Sequence, residues 1–127
     1  MILVDTSIWI DFFSDNQEQA EKLEFLIREN NQACICGIVL QEVLQGVKDK
    51  KEYRAVKERL SKLPFLNTDK GTYLLAAEIY RGLRGKGITI PGIDVTIAAT
   101  AIQNQLPLFT TDRHFSFVSQ HKELILY

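Results

Sequence analysis

The sequence has little of what marks several classes of protein. Its 127 residues include two cysteines and three prolines, which excludes a disulfide-stabilised scaffold and a proline-rich linker. No apolar run approaches the ~20 residues that cross a bilayer, so we expect no membrane association. The first residues, MILVDTSIWIDFF, have no basic leader and include two aspartates, so we expect no secretory signal.

The chain also lacks an excess of one charge. Fifteen Lys and Arg residues stand against sixteen Asp and Glu residues, for a net charge of −1 at pH 7. This balance argues against a protein that coats nucleic acid through bulk charge, and binding would require positive side chains gathered into patches. The cysteines form Cys34-Ile35-Cys36, a spacing typical of neither redox nor zinc sites. We expect two buried thiols in a reducing, cytoplasmic location.

Short apolar runs alternate with amphipathic segments along the whole chain. The apolar runs predict strands at 1–4, 33–36, 65–67, 106–110 and 124–127. The periodic segments predict helices at 7–13, 16–30, 38–47, 50–62, 69–83 and 94–103, the second of them capped by Ser14 and Asp15. This alternation predicts an α/β fold, with three α/β/α layers around a mostly parallel sheet of about five strands. Without repeats or linkers, residues 1–127 are expected to form a single domain.

Four carboxylates lie where such a sheet binds its ligands, beyond the carboxyl ends of the strands. Asp5 follows the first strand, Glu42 lies in the helix after the second, Asp94 opens a buried apolar helix, and Asp112 follows the fourth strand. Each also has a structural interpretation. Asp5 and Asp94 are reasonable helix caps, Asp112 a turn residue, and Glu42 a solvated side chain.

Carboxylates that converge in a partly buried place repel one another and lose hydration, so their proton affinity rises. A divalent cation relieves both penalties, and an all-oxygen site favours the hard ions Mg²⁺ or Mn²⁺. Four hydroxyl side chains adjoin Asp5 and Asp112 and are suited to orient carboxylates or metal-bound waters: Thr6, Ser7, Thr110 and Thr111. We therefore predict a metal site held by Asp5, Glu42, Asp94 and Asp112.

Four sequence blocks carry a resemblance to a known family. They are VDTS at 4–7, QEV at 41–43, DVTIAATA at 94–101 and TTDRHF at 110–115. In this order they resemble the motif blocks of PIN domains, and most of all the VapC toxin type from bacterial toxin–antitoxin pairs. The resemblance spans essentially the whole chain and implies a PIN-like domain at 1–127.

The resemblance implies a Mg²⁺- or Mn²⁺-dependent endoribonuclease that hydrolyses phosphodiester bonds in structured or tRNA-like RNA and inhibits translation. It places the catalytic and metal-ligating acids at Asp5, Glu42, Asp94 and Asp112, and hydroxyls at Thr6 and Thr110. Many relatives carry another acid two residues after the fourth, where this chain has His114. The resemblance also implies a homodimer and a small VapB-like antitoxin partner.

An RNA substrate needs cations outside the acidic pocket. Basic residues cluster at 48–62, recur in RGLRGKG at 81–87, a segment that predicts a flexible loop, and adjoin the last acid. The candidates for RNA phosphate contact are Arg113, Arg84, Lys86 and Lys48. For the 48–62 cluster, a solvated helix face is the competing interpretation. Trp9, Phe12 and Phe13 are open to two interpretations, as core packing or as a dimer or antitoxin surface.

Other classes fit the residues less well. A Mg²⁺-dependent phosphatase commonly pairs a nucleophilic Asp with a second Asp two residues later, and here Ser7 takes that position. A receiver-like signalling module would carry a functional Lys late in the sheet, and 110–115 has none. An inactive RNA-binding PIN-like module stays open, because a fold does not guarantee activity. Neither His114 nor His121 is expected to be catalytic.

Overall fold

The computed structural model describes residues 1–14, 17–29 and 32–127. Its strands are β1 (Ile2–Val4), β2 (Ala33–Cys36), β3 (Phe65–Leu66) and β4 (Leu108–Phe109). Its helices are α1 (Thr6–Phe13), α2 (Gln17–Arg28), α3 (Gly37–Gln45), α4 (Lys50–Ser61), α5 (Lys70–Gly85), α6 (Gly92–Gln103) and α7 (His114–His121). The α/β class is confirmed, whereas the helix cap predicted at Asp15 lies outside the described residues.

The sheet is wholly parallel, with the strand order β3-β2-β1-β4. Every residue of β1, β2 and β4 is buried, which is the pattern of parallel strands covered by helices on both faces. The two thiols are buried in β2 as predicted, and burial raises the pKa of Cys34 to about 11.

The described residues form four strands rather than about five. The segment predicted as a fifth strand, 124–127, makes a single parallel bridge between Leu126 and Leu108. Two backbone hydrogen bonds hold it, Leu108 N to Ile125 O at 2.9 Å and Tyr127 N to Leu108 O at 2.8 Å. Because β4 is only two residues long, it offers too little edge to support a longer neighbour.

Two helical segments differ from the sequence-based expectation. The predicted basic loop at 81–87 is mostly helix, because α5 runs on to Gly85 and only Lys86 and Gly87 lie beyond it. Ile79 and Leu83 are buried, and their packing continues the helix in spite of its glycines. Helix α7 was not predicted. Its sequence HFSFVSQH buries only Phe115 and Val118, a weak periodic signal.

The strand order brings the carboxyl ends of β2, β1 and β4 side by side, and α1 and α3 begin at that edge. Helix α6 packs nearby and is buried nearly all round, as its composition predicted. No helix in the described part of the chain combines the length and apolar character needed to cross a bilayer.

Two glycines of α5 provide a matched test of this packing. A methyl group at Gly82 would overlap the His121 ring, with Cε1 only 2.7 Å away, whereas a methyl group at Gly85 meets nothing within 4 Å. Gly85→Ala should stabilise the protein by up to ~1 kcal/mol through helix propensity. Gly82→Ala gains helix propensity in the interior of α5 but must displace the ring, at an overpacking cost of about 1–3 kcal/mol, so it should be less stable than Gly85→Ala. Urea unfolding of both variants checks this, and equal stabilities would contradict the α5–α7 packing.

Candidate active site

Asp5 lies at the carboxyl end of β1 with only 4% of its surface exposed. Its backbone amide donates to Phe109 O at 2.9 Å, which continues the pairing of β1 with β4. Two hydroxyls donate to its Oδ2 atom, Ser7 Oγ at 2.9 Å and Thr110 Oγ1 at 2.8 Å. Although Asp5 occupies the N-cap position of α1, its side chain makes no capping hydrogen bond.

The same two hydroxyls accept hydrogen bonds from the backbone that follows β4. Thr111 N donates to Ser7 Oγ at 3.3 Å, and Asp112 N donates to Thr110 Oγ1 at 3.0 Å. Since each hydroxyl gives its single proton to Asp5, each is left with lone pairs for these amides. This network positions the loop that carries Asp112. Thr111 takes part through its backbone amide, while its side chain is on an exposed residue.

Glu42 is held by the residue after Asp5. Thr6 Oγ1 donates to Glu42 Oε1 at 2.8 Å, across 36 positions of sequence. Glu42 lies in α3 and is half-buried, so the structure does not support the interpretation of a freely solvated side chain. The Thr6 hydroxyl, which adjoins Asp5 in sequence, therefore orients Glu42 in the structure.

Asp94, Asp112 and His114 form a group whose candidate ligand atoms all lie within 4.8 Å of one another. His114 Nδ1 lies 2.9 Å from Asp94 Oδ2 and 3.2 Å from Asp112 Oδ1. The backbone amide of His114 also donates to Asp112 Oδ1 at 2.9 Å, so the Asp112 side chain accepts a hydrogen bond from the first residue of α7. Sequence reasoning set His114 aside, although its position two residues after an acid was a usable signal.

Electrostatics links Asp5 to this group. Burial raises the pKa of Asp5, and hydrogen bonds from Thr110 and Ser7 partly counteract that rise. Burial also raises the pKa of Asp94, which the His114 hydrogen bond lowers while the charges of Asp112 and Asp5 raise it further. The carboxylates are thus close enough to oppose each other's ionisation.

The residues present suit a divalent cation. In the described ranges, the one salt-bridge partner recorded for these carboxylates is His114, and no Lys or Arg neutralises them. Asp94 is 14% exposed and Asp112 is 36% exposed at the side chain, so the cluster is open to solvent on the Asp112 side. Carboxylate oxygens of this kind are the ligands that Mg²⁺ and Mn²⁺ prefer. Glu42 and Asp5 lie outside the three-residue group, and their role as ligands stays a prediction.

The four predicted RNA contacts are spread over the surface. Arg113 is exposed directly beside Asp112 and lines a cavity of about 610 Å³ with Asp112, His114 and Phe117. The other three lie elsewhere. The Arg84 guanidinium is 5.5 Å from the centre of the Tyr80 ring, and Lys86 Nζ is 2.9 Å from His121 Nδ1 at the far end of α7. Lys48 is exposed between α3 and α4. Of the four predicted RNA contacts, Arg113 is the one that lies next to the acidic group.

The aromatic residues of α1 divide between the two interpretations. Trp9 is only 2% exposed and belongs to the core. Phe12 and Phe13 are half-buried, and the Arg59 guanidinium lies 4.9 Å from the centre of the Phe12 ring. Core packing therefore accounts for Trp9, while the two phenylalanines remain accessible at one side.

Comparison with known proteins places this arrangement in a family. A family model described as PIN domain matches residues 2–120. A VapC ribonuclease of Mycobacterium bovis is 32% identical over 124 residues, covering 94% of this chain and 92% of that protein. Ribonuclease VapC1 of Methanocaldococcus jannaschii is 31% identical over 115 residues, covering 90% of this chain and 78% of that protein.

Solved structures agree with the fold. The structure of VapBC2 from Rickettsia felis bound to a DNA fragment from their promoter matches with a TM-score of 0.81 and 26% identity, over 100% of this chain and 98% of that chain. DNA-bound VapBC from Salmonella typhimurium matches in fold with a TM-score of 0.83 at 23% identity, over 100% of this chain and 98% of that chain.

Removing the buried charge of Asp5 should stabilise the folded protein. Because burial raises the pKa of Asp5 above its ordinary value of 3.8, ionisation as the pH rises favours the unfolded chain. Asp5→Asn keeps an oxygen that accepts from Ser7 and Thr110 but carries no charge. In chelator at pH 7 it should raise the free energy of unfolding by about 1 kcal/mol, a gain that disappears below the ordinary pKa.

Urea unfolding across pH measures this difference. The exposed Glu78→Gln in α5 serves as the control and should leave the stability unchanged at every pH. An Asp5→Asn variant no more stable than wild type at pH 7 would show that the Asp5 charge is not the source of strain.

Proposed function

This chain belongs to the PIN domain family, and from that membership and its acidic site we propose that it is a divalent-metal-dependent endoribonuclease, the toxin of a toxin–antitoxin pair. The relatives that support the proposal are named ribonucleases, and they align over nine-tenths or more of this chain. The site residues are proposed to be Asp5, Glu42, Asp94 and Asp112.

The observation that carries the proposal is the convergence of carboxylates that no Lys or Arg of the described residues neutralises. Asp5, Asp94 and Asp112 come from three separate segments, and the ionisation of Asp94 is opposed by the charges of the other two. Buried charges in proteins are usually paired with an opposite charge or coordinate a metal. Uncompensated carboxylates at the ligand-binding edge of a parallel sheet favour a site that takes its cation from solution.

We assign the acids distinct tasks in phosphodiester hydrolysis. Asp94 and Asp112, with Asp5, would hold Mg²⁺ or Mn²⁺. When bound, such an ion supplies Lewis-acid polarisation of a phosphoryl oxygen and a lowered pKa for an attacking water. Glu42, fixed by the Thr6 hydroxyl at 2.8 Å, would orient an attacking water and accept a proton from it. Ser7 and Thr110 hold the Asp5 carboxylate in one orientation, so no energy is lost in reorganising it.

The substrate side of the proposal rests on Arg113. It is exposed beside Asp112, on the cavity of about 610 Å³, where it can meet a phosphate that flanks the scissile bond. We propose structured or tRNA-like RNA as the substrate class, because proteins read RNA sequence mainly in loops whose bases are unstacked. Cutting such RNA would inhibit translation in the cytoplasm. Arg84, Lys86 and Lys48 would add weaker contacts at a distance.

Cleavage of a mixed RNA pool tests the proposal directly. Wild-type protein should cut RNA with Mg²⁺ or Mn²⁺ and stop when a chelator is added. Asp94→Asn should lower the rate roughly 100-fold or more, since it removes a ligand oxygen charge from the site. Glu78→Gln, which changes an exposed carboxylate on α5, is the control and should cut at the wild-type rate. Near-wild-type turnover of Asp94→Asn with ample Mg²⁺ would refute the assignment.

We also propose a small VapB-like antitoxin partner and a homodimer. Support comes from the Rickettsia felis VapBC2 structure, which matches the entire chain, and from a toxin–antitoxin complex of Klebsiella pneumoniae, which matches 91% of it. Expression of wild-type protein alone should arrest growth and reduce incorporation of labelled amino acids. Co-expression of a small open reading frame from beside its gene should restore growth, and sedimentation should show a complex larger than two monomers. Persistent arrest with the neighbouring product present would contradict the partner assignment.

A further inference from the structure

His114 adds a ring nitrogen to the acidic group as a candidate metal-ligand atom. The candidate ligand atoms of Asp94 and Asp112 are carboxylate oxygens, and His114 Nδ1 lies 2.9 Å from Asp94 Oδ2 and 3.2 Å from Asp112 Oδ1. The ring is 43% exposed and faces the two acids from the first residue of α7. Phe115, next in sequence, is fully buried and anchors that end of the helix.

The spacing of these atoms matches a metal coordination shell. In an octahedral site with bonds near 2.1 Å, adjacent ligand atoms are about 3.0 Å apart. The two separations, 2.9 Å and 3.2 Å, lie on either side of that value, although they also fit a hydrogen-bonded ring. Nδ1 is therefore near an oxygen of each acid, and candidate ligand atoms of all three residues lie within 4.8 Å of one another.

The backbone contributes to the same arrangement. The amide of His114 donates to Asp112 Oδ1 at 2.9 Å, and Asp112 N donates to Thr110 Oγ1 at 3.0 Å. These bonds connect the start of α7 to the hydroxyl that orients Asp5. The ring position is therefore set by the same network that positions the carboxylates, as a ligand requires.

We propose that His114 is a ligand of the divalent cation, together with Asp94 and Asp112. Since imidazole nitrogen suits transition metals better than it suits Mg²⁺, it shifts the site toward Mn²⁺ relative to an all-oxygen site. The inference deepens the proposed function and rests on it, because it concerns the ion at that same site. In the competing arrangement the ring is a fixed cation that pairs with two carboxylates and leaves when metal binds.

Pulsed electron paramagnetic resonance of bound Mn²⁺ separates the two arrangements. A directly coordinated imidazole modulates the Mn²⁺ echo through its ¹⁴N nucleus, and this chain has only two histidines. Wild-type protein with Mn²⁺ should show the ¹⁴N modulation. His121→Gln should keep it, because His121 lies at the opposite end of α7 beside Lys86. His114→Asp should lose it while still binding Mn²⁺.

Metal selectivity provides a second measurement on the same proteins. Competition of Mg²⁺ against bound Mn²⁺ should show that His114→Asp lowers the preference for Mn²⁺ by on the order of tenfold, with His121→Gln unchanged. Wild-type protein that binds Mn²⁺ without ¹⁴N modulation, or that fails to bind Mn²⁺, would overturn the ligand assignment. Neither measurement depends on RNA cleavage. If wild-type protein cleaves RNA but shows no ¹⁴N modulation, the ligand assignment is wrong and the nuclease proposal stands. If it shows the modulation but does not cleave RNA, the nuclease proposal is wrong and the ligand assignment stands.

Discussion

The Asp5 carboxylate is placed where almost no water reaches it, and its neighbours are arranged around that charge. Only 4% of the residue is exposed, and the hydroxyls of neighbouring Ser7 and distant Thr110 converge on one of its oxygens. Those hydroxyls in turn accept the amides that shape the loop to α7. The buried charge thereby connects the end of β1 to the residues that follow β4, and the position of Asp112 depends on it.

Stability and the proposed function make opposite demands on this arrangement. Desolvation raises the pKa of Asp5 and Asp94. At neutral pH, their ionised carboxylates are therefore less stable in the folded chain than in the unfolded chain, where water solvates them. Hydroxyl and amide hydrogen bonds recover part of that free energy, and a bound cation would recover more. Such strain at a site is the usual consequence of selection for activity rather than for stability.

Within the acidic group, His114 has a different character from the carboxylates. A ring nitrogen placed against two oxygens adds a donor that needs no charge to bind a metal and that tolerates softer ions. The sequence resemblance treats this position as a departure, since many relatives carry an acid there. In the structure His114 lies within the acidic group rather than beside it, and this placement is the basis of the proposed preference for Mn²⁺.

Residue order alone determined the α/β class, the first two strands and the apolar α6, because local periodicity and complete burial leave a direct imprint on sequence. It also identified the acids at the strand ends, since parallel strands present those ends at one edge. Tertiary packing decided three features that the sequence did not predict. They are helix α7, the helical end of α5, and the reduction of 124–127 to a single bridge beside the short strand β4. Tertiary packing also decided the contact between His114 and Asp94, the use of the Thr111 amide rather than its hydroxyl, and the pairing of Thr6 with Glu42. Hydrogen bonds between residues 20 or more positions apart depend on chain directions that no local pattern encodes.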